Sequence, residues 1–293
     1  MSIERAALPK DKRAFRQILD AGKPVLFEGA IEHWRATQNW TVEYLCRIAG
    51  EREVKVSTSE NRVFKGDPSR GHYVQEEMRQ MRFADFLRAI DDSAASGNWL
   101  YVHKHELSEA LPEMREDVQV PEVLSDVDGL RILLWMGPRG SVTQLHHGLQ
   151  ENLFAQIRGR KKVYLIDPYQ DPPYYRFPIR SLGARASWHL SRVRPLDDYD
   201  RNAFPGFDRH ELLEVIVNPG DMLYIPIFWW HEVHSLDQPS ISLAYWWGSI
   251  SREQHDKVVR AITTLAETFE DLPPDWKRFC DFVVRRHVLD GRA

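Results

Sequence analysis

Apolar and polar positions change rhythm twice along the chain. Residues 11–21 carry apolar side chains at helical spacing and predict a helix, and Lys23-Pro24-Val25-Leu26-Phe27 predicts a strand closed by Gly29. Trp34, Trp40 and Tyr44-Leu45 fall in a further helical region, and Val54-Lys55-Val56 alternates like a short strand. Residues 82–90 predict a helix with Phe83, Phe86 and Leu87 on one face. After about Gly129 the period shortens. Apolar or alternating runs cover residues 132–136, 152–157, 162–166, 212–217, 222–225 and 241–247. Turn signals separate them, at Gly137-Pro138, Arg158-Gly159, Asp167-Pro168 and Pro219-Gly220-Asp221. Many short strands with regular breaks predict a β-sandwich or barrel.

Residues 172–209 are polar and rich in Pro and Arg, and read as a long insertion in that barrel. Long loops on a rigid scaffold are common places for substrate contacts. Beyond Gly248 helical spacing returns: Ser251 is a candidate N-cap, and Val258, Val259, Ile262, Leu265 and Phe269 share one apolar face. A second helix is expected over residues 274–288. Three parts result: 1–128, helices and short strands packing on a barrel; 129–250, the barrel; and 251–293, C-terminal helices. No internal repeat is visible.

Composition narrows the function. A chain of 293 residues with 43% hydrophobic and 28% charged residues can bury a substantial core. A net charge of −4 offers no broad basic face, so nucleic-acid binding is not expected. Two cysteines, Cys46 and Cys280, make neither a disulfide framework nor a thiolate cluster, which suits a reducing cytoplasm. The first residues lack the apolar core of a signal peptide, and no apolar run approaches the roughly 20 residues of a membrane helix. The expectation is a cytoplasmic protein without a membrane partner.

Histidine carries the chemical signal. Of 12 histidines, His33, His72, His210 and His255 sit in polar surroundings and read as solvated. His146 ends an apparent strand in Gln144-Leu145-His146-His147-Gly148, and His231 follows the apolar run Tyr224-Ile225-Pro226-Ile227-Phe228-Trp229-Trp230. A barrel can bring two such positions together, making a metal pocket with open coordination positions. The plainer reading, two histidines satisfied in a core, stands beside it.

Two segments decide between these readings. Trp135–Pro168, WMGPRGSVTQLHHGLQENLFAQIRGRKKVYLIDP, resembles the iron-binding core of JmjC oxygenases of the asparaginyl-hydroxylase-like, cupin-like branch. NPGDMLYIPIFWWHEVHSL, residues 218–236, resembles the strand that delivers the distal histidine, and KPVLFEGAIEHW and NWTVEYL resemble the opening of that branch. The resemblance implies a mainly β fold, a double-stranded β-helix or jelly roll with N-terminal α/β additions and C-terminal helices, often a homodimer. It also implies Fe(II) on His146 and His231, with 2-oxoglutarate as co-substrate. Lys161 matches the lysine that grips the distal carboxylate of 2-oxoglutarate, an ammonium that fixes the co-substrate's orientation. Thr143 and Tyr101 match hydroxyl donors to that carboxylate, and Asn152 a polar residue beside the chelating end. Tyr245 falls near an Asn of related hydroxylases; it reads either as a pocket residue that reshapes the co-substrate site or as core.

One position departs from the family. Members usually carry His-X-Asp or His-X-Glu at the first metal motif, completing a facial triad. Here the acid is replaced by Gly148. Four readings follow: water fills the place, with Glu151 or Glu232 helping from behind; chloride fills it, as in 2-oxoglutarate-dependent halogenases with Gly or Ala there; His147 ligates instead, although adjacent strand residues face opposite ways; or the chain is a non-catalytic binding protein using the 172–209 insertion. The reading favoured is O₂-dependent hydroxylation of an unactivated C–H bond in a peptide or small molecule, with halogenation as the alternative.

Overall fold

The computed structural model describes residues 2–64, 78–93, 96–170, 172–176, 189–248 and 250–284. Among the described residues, fourteen strands and eight α-helices are the main regular elements. The strands are β1 (Glu4–Ala6), β2 (Val25–Phe27), β3 (Glu53–Ser59), β4 (Val63–Phe64), β5 (Met78–Arg82), β6 (Trp99–Glu106), β7 (Arg131–Gly137), β8 (Val142–His147), β9 (Glu151–Arg158), β10 (Lys161–Ile166), β11 (Leu213–Val217), β12 (Met222–Ile225), β13 (Trp230–Ser235) and β14 (Ser240–Trp247). They form a nine-stranded sheet, β1-β2-β12-β9-β14-β7-β6-β3-β5, and a five-stranded sheet, β11-β10-β13-β8-β4. The fold is the mainly β jelly roll expected, with helices added. Five strands from before residue 129 (β1, β2, β3, β5 and β6) continue the larger sheet without a break.

Local chemistry starts and stops the helices. Helix α1 (Lys12–Ala21) begins where Asp11 accepts a hydrogen bond from the Ala14 N–H at 2.8 Å and ends at Gly22, whose φ of 60° places it in the left-handed region. It lays Phe15, Ile18 and Leu19 against the larger sheet. Trp34 and Trp40 flank helix α2 (Arg35–Asn39), while Tyr44 and Leu45 lie in α3 (Val42–Ala49). The helix expected near residue 85 is α4 (Phe83–Ser93), which buries Phe83, Phe86 and Leu87. The short helices α5 (Leu107–Ala110) and α6 (Pro112–Arg115) add Leu107, Leu111 and Met114 to the same cluster. Burial of a large apolar side chain contributes about 1.5–3 kcal/mol, so this layer ties the N-terminal helices firmly to the back of the sheet.

Two apolar clusters lie between the sheets. One includes Phe154, Val163, Leu165, Leu223, Ile225 and Val233, and the other Phe64, Tyr101, Leu133, Trp135 and Ala244. A further cluster covers the outer face of the smaller sheet, where Tyr174, Val193, Leu196 and Phe207 from the insertion pack on Leu145, Ile166 and Trp230. The expectation of a polar loop at 172–209 is therefore corrected for the described part of it. Its apolar residues are sparse in sequence and show no period, yet they converge on one face; residues 177–188 lie outside the described residues.

At the C-terminus, Ser251 caps α7 (Arg252–Asp271) in a reciprocal capping box with Gln254, and α8 (Pro274–Val283) follows. The rest of the expected second helix, beyond residue 284, lies outside the described residues. Among the described residues no helix is long and apolar enough to cross a membrane.

Candidate active site

His146 and His231 stand opposite each other in the β8–β13 ladder, with ring centroids 4.1 Å apart. The apolar run that precedes His231 breaks after Ile225, and a strand re-forms at Trp230, so His231 is the second residue of β13. Each ring donates through Nδ1 to the carbonyl two residues earlier: His146 to Gln144 at 2.8 Å and His231 to Trp229 at 3.0 Å. A carbonyl only accepts, so Nδ1 carries a proton in both rings, and the neutral form of each leaves its lone pair on Nε2, the nitrogen that would bind a metal. Among the described residues no third His, Cys, Asp or Glu joins the pair.

A β-bulge aims this strand. Pairing runs His231 to His146 and then Val233 to Thr143, so Gln144 and Leu145 together oppose Glu232. Strict alternation would send residues 143 and 146 to opposite faces. The bulge returns both to the gap between the sheets and turns Leu145 into the outer cluster.

The pocket beneath the histidines is lined by Thr143, Asn152, Lys161, Tyr101, Trp135 and Trp246, among others. Lys161 is the buried charge in it. Its ammonium donates to the Ser242 hydroxyl at 2.6 Å and lies 5.4 Å from the centre of the Phe154 ring. Burial alone pushes its pKa down to about 7. A cation in such a place is costly without an anion, and Ser242 is a neutral partner. Asn152 Oδ1 is likewise buried without a hydrogen-bond partner. Tyr101 packs flat on Phe64 at 4.7 Å, in a space that exists because Gly137 has no side chain: a Cβ there would lie 2.1 Å from the Tyr101 ring.

Tyr245 is not part of this pocket. On β14, Ser242, Ala244 and Trp246 turn towards the pocket and its lysine, while Tyr245 turns to the opposite face. It is fully buried against Trp34 at 6.1 Å and donates to the Gln119 carbonyl at 2.5 Å. Of the two readings open for Tyr245, pocket residue or core, its surroundings match core packing, as the period of two along a strand requires. The same period was the signal that could have identified Ser242 and Trp246.

The acids beside the histidines also face elsewhere. Glu151 accepts from the Tyr224 hydroxyl at 2.7 Å and the Ile227 N–H at 3.2 Å. Glu232 accepts from the N–H groups of Leu145 at 3.1 Å and Leu196 at 2.7 Å, and pairs with His234 at 2.7 Å. Burial raises the Glu232 pKa, against the opposing pull of His234. His147 donates through Nδ1 to the Gly148 carbonyl at 3.2 Å and meets Trp230 edge-to-face at 4.8 Å. A Cβ at Gly148 would meet only Gln150, at 3.5 Å from its carbonyl oxygen, and its φ lies outside the left-handed region. Neither backbone nor packing therefore demands glycine there. Above the pocket a vestibule opens, with walls that include Lys104, His147, Gly148, Gln150, His189 and Trp246; sequence reasoning had assigned no role to Lys104 or His189.

A double-stranded β-helix with paired histidines over a buried lysine defines the class: a cupin-type fold built around a candidate metal centre. A family model described as "Cupin-like domain" matches residues 11–253, and the chain belongs to this cupin-like (JmjC) family. Lysine-specific demethylase 8 of Xenopus tropicalis is 33% identical over 231 residues, 77% of this chain and 48% of that protein. The tRNA wybutosine-synthesizing protein 5 of Gallus gallus is 26% identical, across 95% of this chain and 90% of that protein. The human bifunctional peptidase and (3S)-lysyl hydroxylase JMJD7 is 25% identical, across 82% and 81% respectively. Against the demethylase 8 proteins of frog and zebrafish, the chain spans 48% and 58% of their length.

Proposed function

We propose that this protein is an Fe(II)- and 2-oxoglutarate-dependent dioxygenase that hydroxylates an unactivated C–H bond of a peptide or small-molecule substrate. The observation that carries the reading is Lys161: a buried ammonium with a hydroxyl for a partner, at the foot of a pocket that also holds the histidine pair. A dicarboxylate answers both ends, with one carboxylate on the ammonium and the other end towards the metal. His146 and His231 would hold Fe(II) through Nε2. Lys161, Thr143 and Tyr101 would hold the distal carboxylate, and the Asn152 side-chain amide, which lines the same pocket, would donate through its NH₂ to an acceptor oxygen at the chelating end. Bound there, iron and 2-oxoglutarate supply O₂ activation coupled to release of succinate and CO₂. The residues bind, orient and exclude water: Trp135, Phe154, Ile225 and Trp246 wall the site, and the vestibule admits substrate.

A second reading, halogenation, rests on Gly148. The glycine is required by neither space nor backbone, and the missing acid would leave a coordination position for chloride to take. We further propose that the chain dimerises through its C-terminal helices, where Val258, Ile262 and Leu265 on α7 and Trp276 and Phe279 on α8 are exposed.

The test is an anaerobic titration with Fe(II) and 2-oxoglutarate, following the visible charge-transfer band with and without chloride. A band indifferent to chloride supports the hydroxylase, and a band that shifts with chloride moves halogenation ahead. No band from the folded protein removes the enzyme reading and leaves a binding protein. Because the Gly148 Cβ position is open, Gly148→Asp is expected to fold with stability within about 0.5 kcal/mol of wild type. It should also bind Fe(II) more tightly and abolish any chloride response. Unchanged iron affinity in that variant would show that residue 148 does not face a coordination position.

A further inference from the structure

We propose that Glu232 is the positioning residue of the histidine pair: its carboxylate closes the bulge in β8 and thereby sets the direction in which His146 points. The inference rests on His146 and His231 being the metal ligands.

The bulge creates the need. Where two residues oppose one, the ladder cannot pair every backbone group, and a buried N–H left over must find another acceptor. At this bulge the Leu145 N–H finds Glu232 Oε2, at 3.1 Å. That N–H belongs to the same planar peptide unit as the Gln144 carbonyl. The Gln144 carbonyl is in turn the acceptor for His146 Nδ1, at 2.8 Å. One rigid plane thus has the Glu232 carboxylate on its N–H side and the His146 imidazole on its carbonyl side. If the plane rotates, the acceptor moves and the ring turns with it.

The carboxylate is itself fixed from behind. Glu232 Oε1 accepts from the Leu196 N–H and pairs with His234 Nε2, both at 2.7 Å. On its other side, His234 Nδ1 lies 3.6 Å from Asp197 Oδ2, and Asp197 receives Arg62 at 3.3 Å. Leu196 and Asp197 come from the insertion. The same insertion completes the edge of β8, where the Ser191 N–H donates to the Leu145 carbonyl and the His147 N–H to the His189 carbonyl, both at 3.0 Å. Glu232 therefore joins three things: the bulge that carries His146, the strand that carries His231, and the segment that covers both from outside. Substituting an amide removes one acceptor oxygen and points an NH₂ at a donor, which strands a buried N–H. Partners that orient a metal-binding histidine typically change metal affinity about 10–100-fold when lost.

The test compares Glu232→Gln with Asp117→Asn in the full chain. Asp117 is likewise a buried acid, and it serves Trp40, Tyr44 and Arg35 in the cluster beneath the helices. Fe(II) affinity and the charge-transfer band with 2-oxoglutarate are read anaerobically, with circular dichroism and Tm as controls on folding. Glu232→Gln is expected to remain folded, bind Fe(II) about 10–100-fold more weakly and shift the band, while Asp117→Asn lowers Tm and leaves both unchanged. Wild-type affinity and band in folded Glu232→Gln would overturn the proposal, as would an equal loss of affinity in Asp117→Asn. Failure of the wild-type chain to bind Fe(II) would instead remove the metal reading, and this inference with it. Should Glu232→Gln not fold, Glu232→Asp keeps the charge but withdraws the oxygens by one methylene; weaker iron binding supports the proposal and unchanged binding overturns it.

Discussion

At the scale of single residues, Lys161 carries the sharpest consequence. Burial lowers its pKa from 10.5 to about 7, so the empty pocket loses its proton as pH rises through neutrality, and a bound carboxylate restores it. The affinity for 2-oxoglutarate should therefore be full below about pH 7 and fall about tenfold per pH unit above it. Calorimetry at several pH values checks this, and a flat profile would show that the lysine does not meet the co-substrate. Lys161→Met should abolish the pH dependence and weaken binding by about 2–5 kcal/mol. Stability without ligand has its own sign. Between about pH 7 and 10 the unfolded chain binds more protons than the folded one, so stability should rise with pH across that window. Lys161 was legible as a candidate through family resemblance, but its burial and its Ser242 partner were not. Both depend on β10 and β14 lying in different sheets and facing each other.

Among the elements, β8 and β14 teach opposite lessons. The alternation of β14 was written in the residues and would have sorted Tyr245 into the core and Trp246 into the pocket. The alternation of β8 misleads, since its bulge exists only in partnership with β13 and Glu232. The insertion shows the same limit: Val193, Leu196 and Phe207 look like isolated apolar residues in a polar stretch, yet they are core. Phe207→Ala is accordingly expected to cost about 3–5 kcal/mol, measured by chemical denaturation with an unchanged denaturant slope. A loss under 1 kcal/mol would mean that the insertion is not part of the cooperative unit.

For the whole molecule, the two sheets share the pocket between them, and each is covered on its outer face, one by the N-terminal helices and the other by the insertion. The C-terminal helices present apolar side chains outwards, with Trp276 57% and Phe279 58% exposed. If these helices join two copies, sedimentation should give twice the chain mass, and the double variant Ile262→Asp, Leu265→Asp should return it to one. A monomeric wild-type chain at micromolar concentration would sink the dimer.

By itself the sequence determined most strands of the barrel and the longer helices at both ends, in their order, while β1, β4, β5 and β6 carried no such local signal. Apolar runs of strand length, helical spacing at both ends, the turn residues between them and the capping box at Ser251 are local preferences that each segment carries alone. It also determined the chemistry on offer: two histidines, a lysine, and a glycine in place of an acid. Only the tertiary structure decided which of these groups meet. The two histidines are 85 residues apart in sequence, and their contact, the burial of Lys161 by strands from both sheets, the inward turn of Thr143 beside His146 and the outward turn of Tyr245 all arise from strand pairing. Pairing is a relation between distant segments, and no single segment's composition or period contains it.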